Sequence, residues 1–260
     1  MLLSGKVLII AGAGPGLGRR LALLAAREGA RVVLAAQSLA GIERIAEEVR
    51  AADGEALAVP ADVGVEADCR RLADATLNAF GQIDCLINSA FSTASSGPFE
   101  GASLDRWMAN MDVTCFGALR MVGAVLPAMK AHGGGAIVNV SSKAAVQHVP
   151  GQSAYAVAKA ALEGATRQLA SELGPHGIRV NCARPGWMWG VTTETFLQAQ
   201  AEAASRSVED LIAPVRARMP LGRIPTDEDC AKAVLFLASD YACALTGVTL
   251  DVNGGEMMSA

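Results

Sequence analysis

Short runs of aliphatic and β-branched residues alternate along this chain with longer stretches in which apolar residues recur three and four apart. The short runs predict strands at Val7–Ala11, Arg31–Ala36, Ala56–Pro60, Cys85–Asn88, Ala136–Ser141, Arg179–Ala183 and Thr249–Val252. The longer stretches predict helices, with the amphipathic spacing clearest over Leu39–Ala52 and Glu66–Phe80. Strand and helix in regular alternation specify repeated βαβ units, and strands apolar on both faces require helices on both sides of the sheet. The expectation is one α/β domain over residues 1–260, a doubly wound parallel seven-stranded sheet with helices on both faces. One long interval lacks a strand, and residues 187–225 within it are expected to form a lid over a binding site.

Composition narrows the chemistry. The chain has 260 residues, 52% hydrophobic and 18% charged, with a formal net charge of −4. A chain of this length buries roughly 70–75% of its unfolded surface, so its core needs neither disulfide nor metal. Cys69, Cys85, Cys115, Cys182, Cys230 and Cys243 lie far apart without a Cys-x-x-Cys pair, which predicts reduced thiols and no metal site. Scattered Lys and Arg offer no basic stripe for nucleic acid. The start carries no basic segment followed by a long apolar run, and no stretch approaches the ~18 apolar residues of a membrane span, so a cytoplasmic protein is expected.

The first strand runs directly into Gly12-Ala13-Gly14-Pro15-Gly16-Leu17-Gly18 and then into a helical stretch. Residues without a Cβ let the backbone approach a pyrophosphate, while the free amides and dipole of the new helix stabilise its charge. At the end of the second strand stand Ala36 and Gln37. An acid there would bind a ribose 2′-hydroxyl and an Arg a 2′-phosphate. With neither present, NAD and NADP both stay open, and the missing cation favours NAD. Asp62, after the third strand, is a candidate adenine contact or a simple strand-end acid.

Tyr155 and Lys159 share one helix face over Gln152–Leu173. A phenol of ordinary pKa near ~10 is a poor base at neutral pH, and an adjacent ammonium stabilises its phenolate. Asn88 and the Asn139-Val140-Ser141-Ser142 run close two strands on the rim where open parallel sheets bind ligands, and a hydroxyl there suits a substrate oxygen.

These residues, with Asn88-Ser89-Ala90, Arg179-Val180-Asn181, Pro185-Gly186 and the terminal Thr246-Gly247…Asn253-Gly254-Gly255, make the chain resemble the short-chain dehydrogenase/reductase family over nearly its whole length. The resemblance implies a Rossmann fold, a homodimer or homotetramer, and hydride transfer between nicotinamide and a substrate carbon. It makes Tyr155 the general acid/base, Ser142 the group polarising the substrate oxygen, and Lys159 the residue that tunes Tyr155 and binds the nicotinamide ribose. It also assigns the cofactor to Gly12, Gly14, Gly16, Leu17, Gly18, Gln37, Asp62, Val63, Asn88, Ala90, Tyr155, Lys159, Pro185 and Gly186.

Some positions depart from the family pattern. Its relay Asn is Thr114 in Asp112-Val113-Thr114-Cys115-Phe116-Gly117, and Asn110, one helical turn earlier, is the candidate replacement. Phe91 stands where the family has a glycine. Trp187-Met188-Trp189 follows Gly186. With Phe196, Leu197, Val146 and Val149, these aromatic residues suggest apolar walls, with Phe91, Ser142, Trp187 and Trp189 as substrate contacts. A hydrophobic alicyclic, steroid-like or aromatic secondary alcohol or its ketone is the expected substrate. The alternatives are a nucleotide-sensing or scaffolding protein without catalysis, and a 3-oxoacyl-type reductase.

Overall fold

In the computed structural model, which describes residues 1–92 and 99–258, seven strands pair in parallel in the order β3-β2-β1-β4-β5-β6-β7. They are β1 (Val7–Ala11), β2 (Arg31–Ala36), β3 (Ala56–Pro60), β4 (Cys85–Asn88), β5 (Gly135–Val140), β6 (Ile178–Pro185) and β7 (Thr249–Val252). The helices are α1 (Leu17–Arg27), α2 (Leu39–Ala51), α3 (Glu66–Phe80), α4 (Leu104–Met111), α5 (Gly117–His132), α6 (Ser153–Leu173), α7 (Val191–Ala204), α8 (Val208–Arg216) and α9 (Asp227–Ala238).

β1 shows how period two builds both layers at once. Leu8 and Ile10 pack on one face with Leu21 of α1, Ile45 of α2 and Val234 of α9, while Val7 and Ile9 pack on the other with Leu72 of α3 and Met121 of α5. Each such fully buried aliphatic contributes about 1.5–3 kcal/mol. The run Leu104–His132 is long and apolar enough to cross a membrane, contrary to the expectation that no such stretch exists. It does not behave as a span here: Met121, Val125 and Met129 of α5 are buried in the core beside the sheet.

Five strands have the expected bounds, and two differ for reasons of pairing. β5 starts at Gly135, bonded to Gly177, and ends before Ser141, whose hydroxyl donates to Glu163. β6 continues to Pro185 because Arg184 and Pro185 pair with Asp251 and Val252. The strand order reverses between β1 and β4, and the registers Ala11↔Asn88 and Asn88↔Asn139 align their carboxyl ends. Loops leaving β1, β4, β5 and β6 therefore open on one rim, the place where doubly wound sheets bind ligands.

Candidate active site

The glycine loop is fixed by close packing. Gly12 has φ +101°, and a Cβ there would collide with the Ala90 backbone; a Cβ on Gly18 would come within 2.7 Å of Ala13 Cα. Gly16 precedes α1, where no side chain caps the helix and no acid occupies the first turn, so its leading amides stay suited to an anion. Leu17 and Pro185 are buried.

A trough of about 530 Å³ begins at this loop, lined by Gly12, Gly14, Ala36, Gln37, Asp62, Val63, Ala90 and Phe91 among others. Gln37 Nε2 donates to Asp62 Oδ2 at 2.8 Å, and Asp62 Oδ1 accepts from the Gly64 amide at 2.8 Å. Among the described residues no cation lines the trough. Asn88 is not in its lining: its Nδ2 donates to Asn139 Oδ1 at 2.9 Å, bracing β4 against β5.

Phe91 also lines a second cavity of about 540 Å³, so the two spaces meet at its ring. The second cavity gathers Asn110, Ser142, Lys143, Val149, Gln152, Tyr155, Gly186, Trp187, Met188, Thr192, Thr193 and Phe196. A glycine cradle, a helix N-terminus and an elongated space ending at Tyr155 fit an extended dinucleotide.

Burial pushes the Tyr155 phenol above its usual range, partly offset by the neighbouring Ser142 hydroxyl. The ammonium of Lys159 was expected to lower it. Instead Lys159 Nζ donates to the Val140 carbonyl at 2.6 Å and lies 5.6 Å from the Tyr155 ring centre. Burial pushes Lys159 itself down to about 8, partly offset by Cys182 and Glu163. Phe91 packs edge-on to Tyr155 at 6.0 Å and 5.7 Å from Lys159 Nζ, filling space that a glycine would leave open.

At the family's relay position the helix widens into a π-turn over Asp112–Phe116. Thr114 does not line the cavity; its Oγ1 accepts from the Ser92 amide at 3.4 Å, tethering the loop after β4. Asn110, fully buried, does line it. The interval 187–225 holds α7 and α8. Trp187 lines the cavity, whereas Trp189, expected as a substrate contact, is not in its lining. The backbone of Trp189 bridges Pro225 and Asp227, and its ring packs on Val215, Met219 and Ile224. Leu197 and Val146 are likewise absent from the cavity wall.

Sequence reasoning passed over Gln152, Thr192 and Thr193 on the wall, and a buried network behind Ser141. Arg184 grips Glu163 with two bonds of 2.8 and 2.7 Å and reaches Asp251 at 3.1 Å, while Ser141 Oγ donates to Glu163 at 2.6 Å. Only the Lys159/Glu163 spacing on α6 hinted at it. Burial pushes the thiols of Cys85, Cys182 and Cys230 up to about 12, which keeps these three protonated and unreactive at neutral pH.

Comparison with known proteins fits this geometry. A family model described as Enoyl-(Acyl carrier protein) reductase matches residues 12–256. A 3-oxoacyl-(acyl-carrier-protein) reductase of Pseudomonas aeruginosa is 35% identical over 100% of both chains. A D-threitol dehydrogenase of Mycolicibacterium smegmatis is 34% identical over 97% of this chain and 93% of its own. Among solved structures, a 7α-hydroxysteroid dehydrogenase complexed with NADH and 7-oxo glycochenodeoxycholic acid superposes with TM-score 0.87 at 29% identity, covering 97% of this chain and 94% of its own. With the glycine trough, the Ser142–Tyr155 pair and Lys159 on one rim of the sheet, this chain is an oxidoreductase belonging to the short-chain dehydrogenase/reductase family.

Proposed function

We propose that the protein interconverts a secondary alcohol and a ketone with Tyr155 as the general acid/base. The observation that carries this reading is that Ser142 and Tyr155 line one cavity of largely apolar wall, with Lys159 buried behind it. The nicotinamide, when bound, supplies or accepts the hydride at the substrate carbon. The trough would hold the dinucleotide by Gly12, Gly14 and the first amides of α1. Its lack of a cation favours NAD over NADP, because a 2′-phosphate would meet Asp62 without compensation.

Tyr155 is protonated at neutral pH, so it is ready to give its proton to a ketone oxygen. Ser142 donates a second hydrogen bond to that oxygen and holds it where the proton arrives. In the oxidative direction Tyr155 must take the proton, and the Lys159 ammonium then stabilises the phenolate through a low-dielectric interior. Asn110 lies on the same wall, placed to take part in resupplying protons from solvent. Phe91, Val149, Trp187, Met188 and Phe196 suit an alicyclic, steroid-like or aromatic body. The exposed Leu104, Met108, Phe116 and Val157 along α4–α6 suit contact with a second copy, in a homodimer or homotetramer.

A second reading, reduction of carrier-bound 3-oxoacyl chains, draws on the match to the Pseudomonas aeruginosa enzyme. Both are tested by following reduced-nicotinamide absorbance with NAD or NADP over secondary alcohols, ketones and a 3-oxoacyl thioester. The expected result is turnover of apolar ring substrates, better with NAD. Tyr155→Phe should lower kcat by about 10²–10⁴-fold. Tight dinucleotide binding with no turnover across the panel would instead favour a sensor.

A further inference from the structure

Lys143 is the one charged side chain among the described residues lining the substrate cavity. It directly follows Ser142, and its ammonium is fixed rather than solvated. Nζ lies 2.6 Å from Glu256 Oε1 and 5.6 Å from the centre of the Trp187 ring. Glu256 comes from the C-terminal tail, and its side chain is 1% exposed. The same Oε1 accepts from Arg218 Nη2 at 3.2 Å. Oε2 receives no hydrogen bond among the described residues and rests against Gly186, where a Cβ would come within 3.1 Å of it.

Lys143 at the cavity wall and Arg218, which reaches in from solvent, share one carboxylate, so Glu256 does not by itself neutralise both and Lys143 keeps surplus positive charge beside a mostly apolar space. Burying such a group is costly unless something repays the lost hydration. An ammonium carries three protons, and Glu256 takes one of them, so Lys143 retains donors for an acceptor in the cavity. One surplus charge with apolar walls suits a compact monoanion; a dianion would stay undercompensated in this setting. Trp187 beneath the ammonium restricts its travel and keeps the charge on the side of the cavity shared with Ser142.

We propose that Lys143, held by Glu256, is a specificity residue that binds a carboxylate of the substrate, making the substrate an oxo or hydroxy acid with an apolar body. The proposal rests on the alcohol–ketone reading above and adds the charge of the molecule that reading left unspecified. Substrate binding by Lys143 places its partner Glu256 in a positioning role, acting through the ammonium alone.

The test uses alicyclic and aromatic ketones, each as free carboxylate and as methyl ester, with NADH, on the wild-type protein and on Lys143→Met and Lys143→Arg. The wild type should favour acids over esters by about 10- to 100-fold in kcat/KM, the worth of one charge-assisted hydrogen bond. Lys143→Met should collapse that ratio toward one, and Lys143→Arg should restore most of it. Quenching of tryptophan fluorescence by cyclohexanecarboxylate on the NAD complex gives a second measure, expected to weaken by a similar factor in Lys143→Met alone. An acid-to-ester ratio near one in the wild type, or an unchanged ratio and unchanged carboxylate affinity in Lys143→Met, overturns the proposal and leaves the alcohol–ketone reading standing. Failure of every acid and every ester to turn over overturns that underlying reading.

Discussion

The glycine-lined trough and the cavity beside Tyr155 lie end to end, yet they are built differently. Gly12, Gly14, Gln37, Asp62 and Ala90 come from the loops after β1 to β4, and at Gly12 the backbone passes so close to Ala90 that there is no room for a Cβ. The cavity draws Ser142 and Lys143 from the end of β5, Tyr155 from α6, Trp187 from the end of β6 and Phe196 from α7. Its rim is held by side chains distant in sequence, with Lys143 and Glu256 113 residues apart and Arg184 and Asp251 67 apart. A trough set by backbone tolerates surface drift, whereas a cavity set by long-range charge pairs can be retuned one pair at a time.

Removing one partner from the buried network is the most severe way to break this contrast. Glu163→Gln leaves Arg184 with only part of its compensation and should cost about 3 kcal/mol, near the lower end for a broken buried pair because Asp251 remains. The shift is read from urea unfolding. A loss below about 1 kcal/mol, the range of exposed pairs, would mean that apolar packing holds this side of the site as well.

A smaller effect comes from Lys159, whose pKa is lowered from 10.5 to about 8 by burial. Between those values the unfolded chain binds the extra proton, so stability should rise with pH there. The cost of burying the charge is fully present below about 8 and gone above 10.5. Tyr155, raised above its usual 10.0, and the buried thiols of Cys69, Cys85, Cys115, Cys182 and Cys230, raised above their usual 9.0, act oppositely once the unfolded chain begins to lose those protons, so the Lys159 contribution is read as the difference between wild type and Lys159→Met from about pH 8 upward. Across that range the slope of unfolding free energy with pH should be more positive in the wild type than in Lys159→Met. Equal slopes in both proteins would remove Lys159 as its source.

The mildest comparison separates Asn110 from Thr114. Thr114→Val loses the bond from the Ser92 amide and should cost about 1 kcal/mol of stability with kcat nearly intact. Asn110→Ala should lower kcat by about tenfold and displace its pH profile, as loss of a proton-transfer partner does. An unchanged kcat and profile in Asn110→Ala would end its candidacy for the relay.

The periodic pattern was enough to read β1–β4, β7, α3 and α9 at their observed bounds, because each is decided by local alternation, glycine or a capping residue such as Thr226 before α9. Glycine spacing and the Tyr155/Lys159 step were legible for the same reason: one turn of loop or helix fixes them. The length of β6 was not, since Arg184 and Pro185 become strand only by pairing with β7. Nor was the fate of the two tryptophans. Trp187 and Trp189 look alike in sequence and both pack on the Val215, Met219 and Ile224 cluster, but only Trp187 also lines the cavity.

By itself, then, the sequence determined the doubly wound sheet, the glycine-rich loop after β1 and the proposed Ser142, Tyr155 and Lys159 set, all consequences of residue type at short spacing. Tertiary structure alone decided that Lys159 turns to Val140, that Asn110 and not Thr114 reaches the cavity, and that Lys143 meets Glu256. Those outcomes depend on contacts between segments brought together by the sheet order. The energy of a buried charge depends on surroundings that no local stretch of sequence contains.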